Sequence, residues 1–157
     1  MKRMYGTYEH QLDDKGRMRI PAKFLSVFDK EYENQPLYYV IYAPWRIAIM
    51  AESVLDEKMA KLGGIIPLSE ETVDAMDAQS KILGTAEDVN RDGQGRVSIP
   101  KHLRNEVLIK KDVVTVGMGD YIEIWAKEVR AERVDKMSRL EANRKAFGAA
   151  MGLNDKS

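Results

Sequence analysis

Asp13-Asp14-Lys15-Gly16-Arg17-Met18-Arg19-Ile20-Pro21 recurs 79 residues later as Asp92-Gly93-Gln94-Gly95-Arg96-Val97-Ser98-Ile99-Pro100. The shared pattern is D-x-x-G-R-x-x-I-P. Phe24 and Phe28 align with Leu103 and Val107 at the same offset. Two copies with matched apolar positions behind each read as an internal duplication. In each copy the Asp side chain can bond its own downstream backbone and the Gly accepts positive φ without steric cost. The motif therefore predicts a turn between two short strands, a hairpin, with residues 5–12 leading into the first copy. Pro21 holds Ile20 extended and suits the first position of a helix, whose apolar stripe is Phe24, Leu25 and Phe28.

Downstream of that helix, residues 29–36 read as a polar loop. Two further strands, 37–42 and 47–50, are broken at Ala43-Pro44-Trp45-Arg46. A helix over 51–62 carries Val54, Leu55, Met59 and Leu62 on one face. Residues 63–67 form a loop. Ser69, followed by Glu70 and Glu71, caps a helix that runs to Leu83 and closes at Gly84. The second half repeats the order: a strand over 85–91, the Asp92–Arg96 turn, a strand over 97–99, Pro100, and a short helix through Val107. Val113–Val116 and Tyr121–Trp125 pair across Gly117-Met118-Gly119-Asp120. Tyr121, Glu123 and Trp125 alternate with Ile122 and Ile124, which implies one buried face. A helix from Ala126 places Val129, Val134 and Met137 in register with Val54, Met59 and Leu62 at an offset of 75. A charged helical tail follows from Ser138 to about Met151, with frayed last residues. Met50, Met59, Met76, Trp125 and Met137 are assigned to the core, with a subunit interface as the alternative.

At 157 residues, with 44% hydrophobic and 32% charged, the chain has room for one ordinary domain or two very small ones sharing a core. It has no cysteine, which excludes disulfides and thiolate chemistry and suits a reducing cytoplasm. No apolar run approaches the roughly 20 residues of a membrane span, and no hydrophobic signal core follows the basic start Met1-Lys2-Arg3-Met4-Tyr5. His10 and His102 stand on separate copies without ligand spacing, so no metal site is expected. Gly93-Gln94-Gly95 and Gly117-Met118-Gly119 lack the residues of a phosphate loop. No nucleophile, acid and base can be assembled; the expectation is a non-enzyme with no cofactor and no small-molecule substrate.

Net charge is zero, with 25 basic and 25 acidic residues, but it is unevenly distributed. Residues 1–25 hold six cations against three anions, and residues 89–104 hold four against one. Residues 69–88 hold one cation against six anions. Positive charge gathers on the two motifs, and local sign decides where a polyanion binds. Lys15, Arg17, Arg19 and Lys23 in the first copy, and Arg96 and Gln94 in the second, are the candidate DNA contacts, with Arg able to read guanine bidentately. Arg3 joins them if the N-terminus lies beside the hairpin, as does Lys2. Lys101, His102 and Arg104 are as well explained as plain surface. Asp13, Gly16, Asp92 and Gly95 support the turns, since a carboxylate facing phosphate would repel it. The plainer reading of each Asp–Arg pair is a solvated turn closed by a local salt bridge of little energetic weight.

The two basic D-x-x-G-R-x-x-I-P motifs, each followed by a short helix and a second hairpin, resemble the MraZ family of bacterial transcriptional regulators, within the AbrB-like swapped-hairpin class. The closest stretches are Tyr8–Arg17 and Ile20–Phe24. The resemblance implies an α+β fold: two tandem swapped-hairpin β-barrel repeats forming an internal pseudo-dimer with flanking helices. The expected division is repeat 1 over 7–54, a helical connector over 55–82, repeat 2 over 83–126 and a helical tail over 127–157. It further implies a nucleoid-associated, cytoplasmic regulator acting as a ring-like homo-oligomer on repeated double-stranded DNA sites upstream of the division and cell-wall genes. The family's D-x-x-x-R positions fall on Asp13 and Arg17, and on Asp92 and Arg96. The chain departs from the pattern at Pro44-Trp45-Arg46, where a Gly-containing turn is expected. It departs again at Gly93, Gln94 and Ser98, which make the second copy the weaker reader. The alternatives are a ring-forming protein-interaction module without sequence preference and, less favoured, an AbrB-type antitoxin.

Overall fold

The computed structural model describes residues 2–62 and 69–152. Among them the chain runs β1 (Met4–Gln11), β2 (Arg17–Arg19), α1 (Ala22–Glu31), β3 (Leu37–Ala43), β4 (Arg46–Ala51) and α2 (Glu52–Leu62). It continues through α3 (Glu70–Gly84), β5 (Glu87–Asp88), β6 (Arg96–Ser98), α4 (Lys101–Glu106), β7 (Asp112–Gly119), β8 (Ile122–Ala126) and α5 (Lys127–Ala150). The expected loop over 63–67 and the last five residues lie outside the described residues.

The fold is α+β and of the swapped-hairpin kind. Six strands form one antiparallel sheet in the order β1-β7-β8-β4-β3-β5, and β2 pairs with β6 in a separate two-stranded ribbon. Exchanging β1 with β5, β2 with β6, β3 with β7 and β4 with β8 reverses this order onto itself. The halves are therefore interleaved. β1 pairs along its whole length with β7, from Met4↔Gly119 to Gln11↔Asp112, and β4 pairs with β8 through Ile47↔Ile124.

This arrangement corrects the expected local hairpin. Two backbone bonds close the first turn, Asp13 N–H to the Arg17 carbonyl at 2.9 Å and Gly16 N–H to the Asp13 carbonyl at 3.0 Å, and then β1 and β2 part to different partners. The cause is burial. Met18 and Val97 face each other across the ribbon and are 2% and 0% exposed, so cross-half pairing seats both in the core. Ile20, Phe24, Ile99 and Leu103 continue that core behind the two turns.

Pro21 serves as the N-cap of α1 rather than its first residue, its carbonyl accepting from the N–H of Phe24 and Leu25. α1 runs on to Glu31, into the stretch expected as a loop. Ser69 caps α3 as expected, its hydroxyl accepting from the N–H of Thr72 at 3.2 Å. The strand expected over 85–91 shrinks to Glu87–Asp88. Val89 still donates to the Leu37 carbonyl, and Arg91 keeps one antiparallel bridge to Val97 while its side chain pairs with Asp29 at 2.7 Å.

β8 is buried on both faces, not one. Trp125 on the unexpected face donates Nε1–H to Glu123 at 3.1 Å. The Arg46 guanidinium, 4.0 Å above the indole, also reaches Glu123 at 3.4 Å. A buried carboxylate is tolerated because both partners meet it.

Two apolar stripes fare differently. Val54, Leu55 and Met59 of α2 are buried, and Leu62 is packed against the core. Their counterparts on α5 are not: Val129 is half-buried, Val134 and Met137 are exposed, and α5 has no fully buried residue. Met76 on α3 is likewise exposed, so Met76 and Met137 leave the expected core while Met50, Met59 and Trp125 belong to it. α2 packs against β4 and α3 and α5 against β7 and β8, but α5 is exposed over residues 131–147.

Candidate nucleic-acid interface

The two D-x-x-G-R turns fold alike, bond for bond. In the first, Asp13 Oδ1 accepts from the N–H of Lys15 and of Arg17, both at 2.9 Å. Its Oδ2 accepts from Arg17 Nε at 2.7 Å. In the second, Asp92 Oδ1 accepts from the N–H of Gln94 at 2.8 Å and of Arg96 at 3.0 Å, and Oδ2 from Arg96 Nε at 2.7 Å. Gly16 and Gly95 take φ of +74° and +75°, which only glycine adopts without strain. The spacing of the motif is thus the spacing of an Asx-type turn that grips its own arginine.

The backbone N–H of Arg17 is the main reason the Asp13 carboxyl lies below the usual carboxylate range; the Arg17 side chain adds to it. The Arg96 N–H does the same for Asp92, drawing it down to about 2. Both carboxylates are therefore ionised at neutral pH and aim their arginines. Only Nε is used in each grip, so the two terminal amino groups of Arg17 and Arg96 carry no protein partner among the described residues.

The ribbon brings the motifs together. Its register sets Arg17 opposite Ser98 and Arg19 opposite Arg96. Because side chains alternate along a strand, Met18 and Val97 point inward while Arg17, Arg19, Arg96 and Ser98 share the outer face. Arg19 and Ser98 are exposed, Arg17 and Arg96 half-exposed. Arg19 thus stands directly opposite Arg96, an arrangement of like charges that disfavours a sheet and that the Asp92 carboxylate on Arg96 offsets in part.

Lys15 and Gln94 stand exposed in the two turns, and Lys23 stands exposed in the first turn of α1. Arg3 does not join them. It precedes β1, and the extended chain from Arg3 to Asp13 spans roughly 30 Å. It sits instead by Gly119, while the Lys2 N–H donates to Glu31 at 3.1 Å. His102 lies 2.6 Å from Glu87, and Lys101 is exposed on α4. Arg104 is positioned across the halves: its Nε–H donates to the Ile99 carbonyl at 3.0 Å and its guanidinium covers Gly16 of the first turn. Leu25 covers Gly95 in the same way. The 79-residue offset already aligns Leu25 with Arg104, which is the sequence signal for this pairing. No described helix is long and apolar enough to cross a membrane.

A family model described as "MraZ protein, putative antitoxin-like" matches residues 82–146. A protein of Caldanaerobacter subterraneus subsp. tengcongensis named "Transcriptional regulator MraZ" is 36% identical over 135 residues, covering 82% of this chain and 85% of the relative. One of the same name from Natranaerobius thermophilus is 33% identical over 129 residues, covering 78% and 80%. Another from Herpetosiphon aurantiacus is 30% identical over 153 residues, covering 91% and 97%. With the duplicated motif, the swapped strands and these relatives in hand, the chain belongs to the MraZ family, whose named members are transcriptional regulators.

Proposed function

We propose that this protein is a sequence-specific DNA-binding regulator that acts as a homo-oligomer on repeated promoter sites. The supporting observation is the outer face of the β2–β6 ribbon, which carries Arg17, Arg19 and Arg96 with terminal amino groups that have no partner among the described residues. A two-stranded ribbon fits the major groove. Lys15 adds a cation at the first turn, Gln94 adds an amide at the second, and Lys23 adds a cation from α1, whose Leu25 covers the second turn. Asp13 and Asp92 aim the arginines, and Gly16 and Gly95 permit the turns. The functional units are residues 7–54 and 83–126, joined by the 55–82 connector and followed by the 127–157 tail. The division and cell-wall gene cluster is the target the family resemblance favours, with the nucleoid as the place of action.

Self-association is supported by apolar side chains left open on two helices: Val134, Met137, Leu140 and Phe147 on α5, and Val73 and Met76 on α3. An oligomer gains affinity by engaging several sites at once. The same open helices also favour a second reading, a protein-interaction ring without sequence preference. Titrating the protein's own upstream duplex against a scrambled one separates the two, because only the first reading predicts preference. Light scattering of the purified chain tests the oligomer, and a monomer at micromolar concentration contradicts it. The antitoxin reading gains only the family model's description.

A further inference from the structure

The first turn has a neighbour from the other half of the chain, and its chemistry exceeds what packing needs there. A Cβ built on Gly16 would lie 2.7 Å from Arg104 Cζ and 2.8 Å from Nη2, so the guanidinium is held against the turn. Nε–H is fixed by the Ile99 carbonyl at 3.0 Å. Among the described residues the terminal amino groups of Arg104 have no partner and the side chain forms no ion pair.

At the second turn the same place is filled by Leu25, whose Cδ2 would lie 3.3 Å from a Cβ on Gly95. An apolar side chain therefore suffices to cover such a turn. The guanidinium at the first turn is chemistry added to the packing, and it is held as Arg17 is, by Nε alone.

We propose that Arg104 is a phosphate-contacting residue of the first turn, so that this end of the DNA interface is composite, with Lys15 and Arg17 from one half of the chain and Arg104 from the other. The second turn has Gln94, Arg96 and Leu25 in the corresponding places, and Arg19 stands opposite Arg96 at that end. The ribbon then carries Lys15, Arg17 and Arg104 at one end and Arg19 and Arg96 at the other. This inference rests on the reading of the ribbon as the DNA-binding face.

The test is the salt dependence of binding by the full chain to its upstream duplex, for wild type, Arg17→Ala, Arg104→Leu and Arg104→Gln. Leu is the residue the second turn uses, and Gln keeps a donor while removing the charge. Both Arg104 variants are expected to bind on the order of tenfold more weakly. Both are also expected to reduce the slope of log K against log salt by about 0.9 per engaged subunit. A wild-type slope in whichever variant melts cooperatively, with or without weaker binding, makes Arg104 a packing residue and overturns the proposal. If Arg17→Ala abolishes binding while the Arg104 variants keep the slope, this inference fails alone. If the wild type does not bind, or Arg17→Ala binds as wild type does, the ribbon reading fails and takes this one with it.

Discussion

Gly16→Ala and Gly95→Ala place the same strain in two turns of matched geometry, and the structure predicts unequal costs. Each puts a Cβ on a residue with φ near +75°, which costs an L-residue about 1–2 kcal/mol. At Gly95 the new methyl meets only Leu25 Cδ2 at 3.3 Å, and a small shift of that flexible side chain relieves it. At Gly16 it meets Arg104 Cζ at 2.7 Å, so the guanidinium must leave and its bond to the Ile99 carbonyl goes with it. That loss adds about 0.5–1.5 kcal/mol. Gly16→Ala should therefore be destabilised by about 2–3 kcal/mol and Gly95→Ala by about 1–2. For a chain of this size a gap of about 1 kcal/mol separates the melting temperatures by about 2–4 °C. Thermal unfolding at one fixed protein concentration measures it, because self-association would otherwise shift the apparent stability. Equal losses would refute the cross-half packing of Arg104, and no loss in either would refute the turn geometry itself.

Asp92→Asn should remove a pH-dependent part of stability. Its carboxyl is depressed from 3.8 to about 2, so its contribution is fully present above pH 4 and is lost as pH falls through about 2. Unfolding curves of wild type and variant should converge toward pH 2, and a gap that is constant from pH 7 to 2 contradicts this. Glu123→Ala leaves the Trp125 Nε1–H and Arg46 without their buried acceptor and should cost about 3 kcal/mol in denaturant unfolding, more than Glu123→Gln. A near-neutral Glu123→Ala would mean that water replaces the carboxylate. Arg17→Ala should weaken DNA binding more than Arg96→Ala at the same salt, since Arg17 shares its end of the ribbon with Lys15 and Arg104 while Arg96 shares the other with Gln94 and Arg19; equal losses contradict the asymmetry.

The elements were legible in the sequence because they are local. The 79-residue offset located both turns, and the Asp–Gly–Arg spacing predicted their internal bonds. Partner choice is not local, and it was there that the reading went astray. Nothing between Tyr5 and Ile20 says that β1 will pair with β7 and β2 with β6. Those pairings follow from burying Met18 against Val97. Arg3 is ten positions from Asp13 in sequence, but an extended β1 turns that separation into the length of the sheet. Arg104 is the converse case, remote in sequence and adjacent in space. Val134 and Met137 repeat the spacing of Met59 and Leu62, yet periodicity cannot tell whether a layer exists to cover the stripe. α2 packs against both β4 and α3, while α5 stays exposed over residues 131–147 within the described chain.

The most direct measurement is the affinity of the full chain for its own upstream duplex across a salt series, for wild type and Arg17→Ala, with a scrambled duplex alongside. If Lys15, Arg17, Arg19, Arg96 and Arg104 each touch a phosphate, log K should fall with log salt at a slope of about −4.5 per engaged subunit. The wild type should prefer its own duplex, and Arg17→Ala, folded and with the wild-type oligomeric state, should lose nearly all binding. Equal affinity for the scrambled duplex, or a folded Arg17→Ala that binds as the wild type does, would contradict the account.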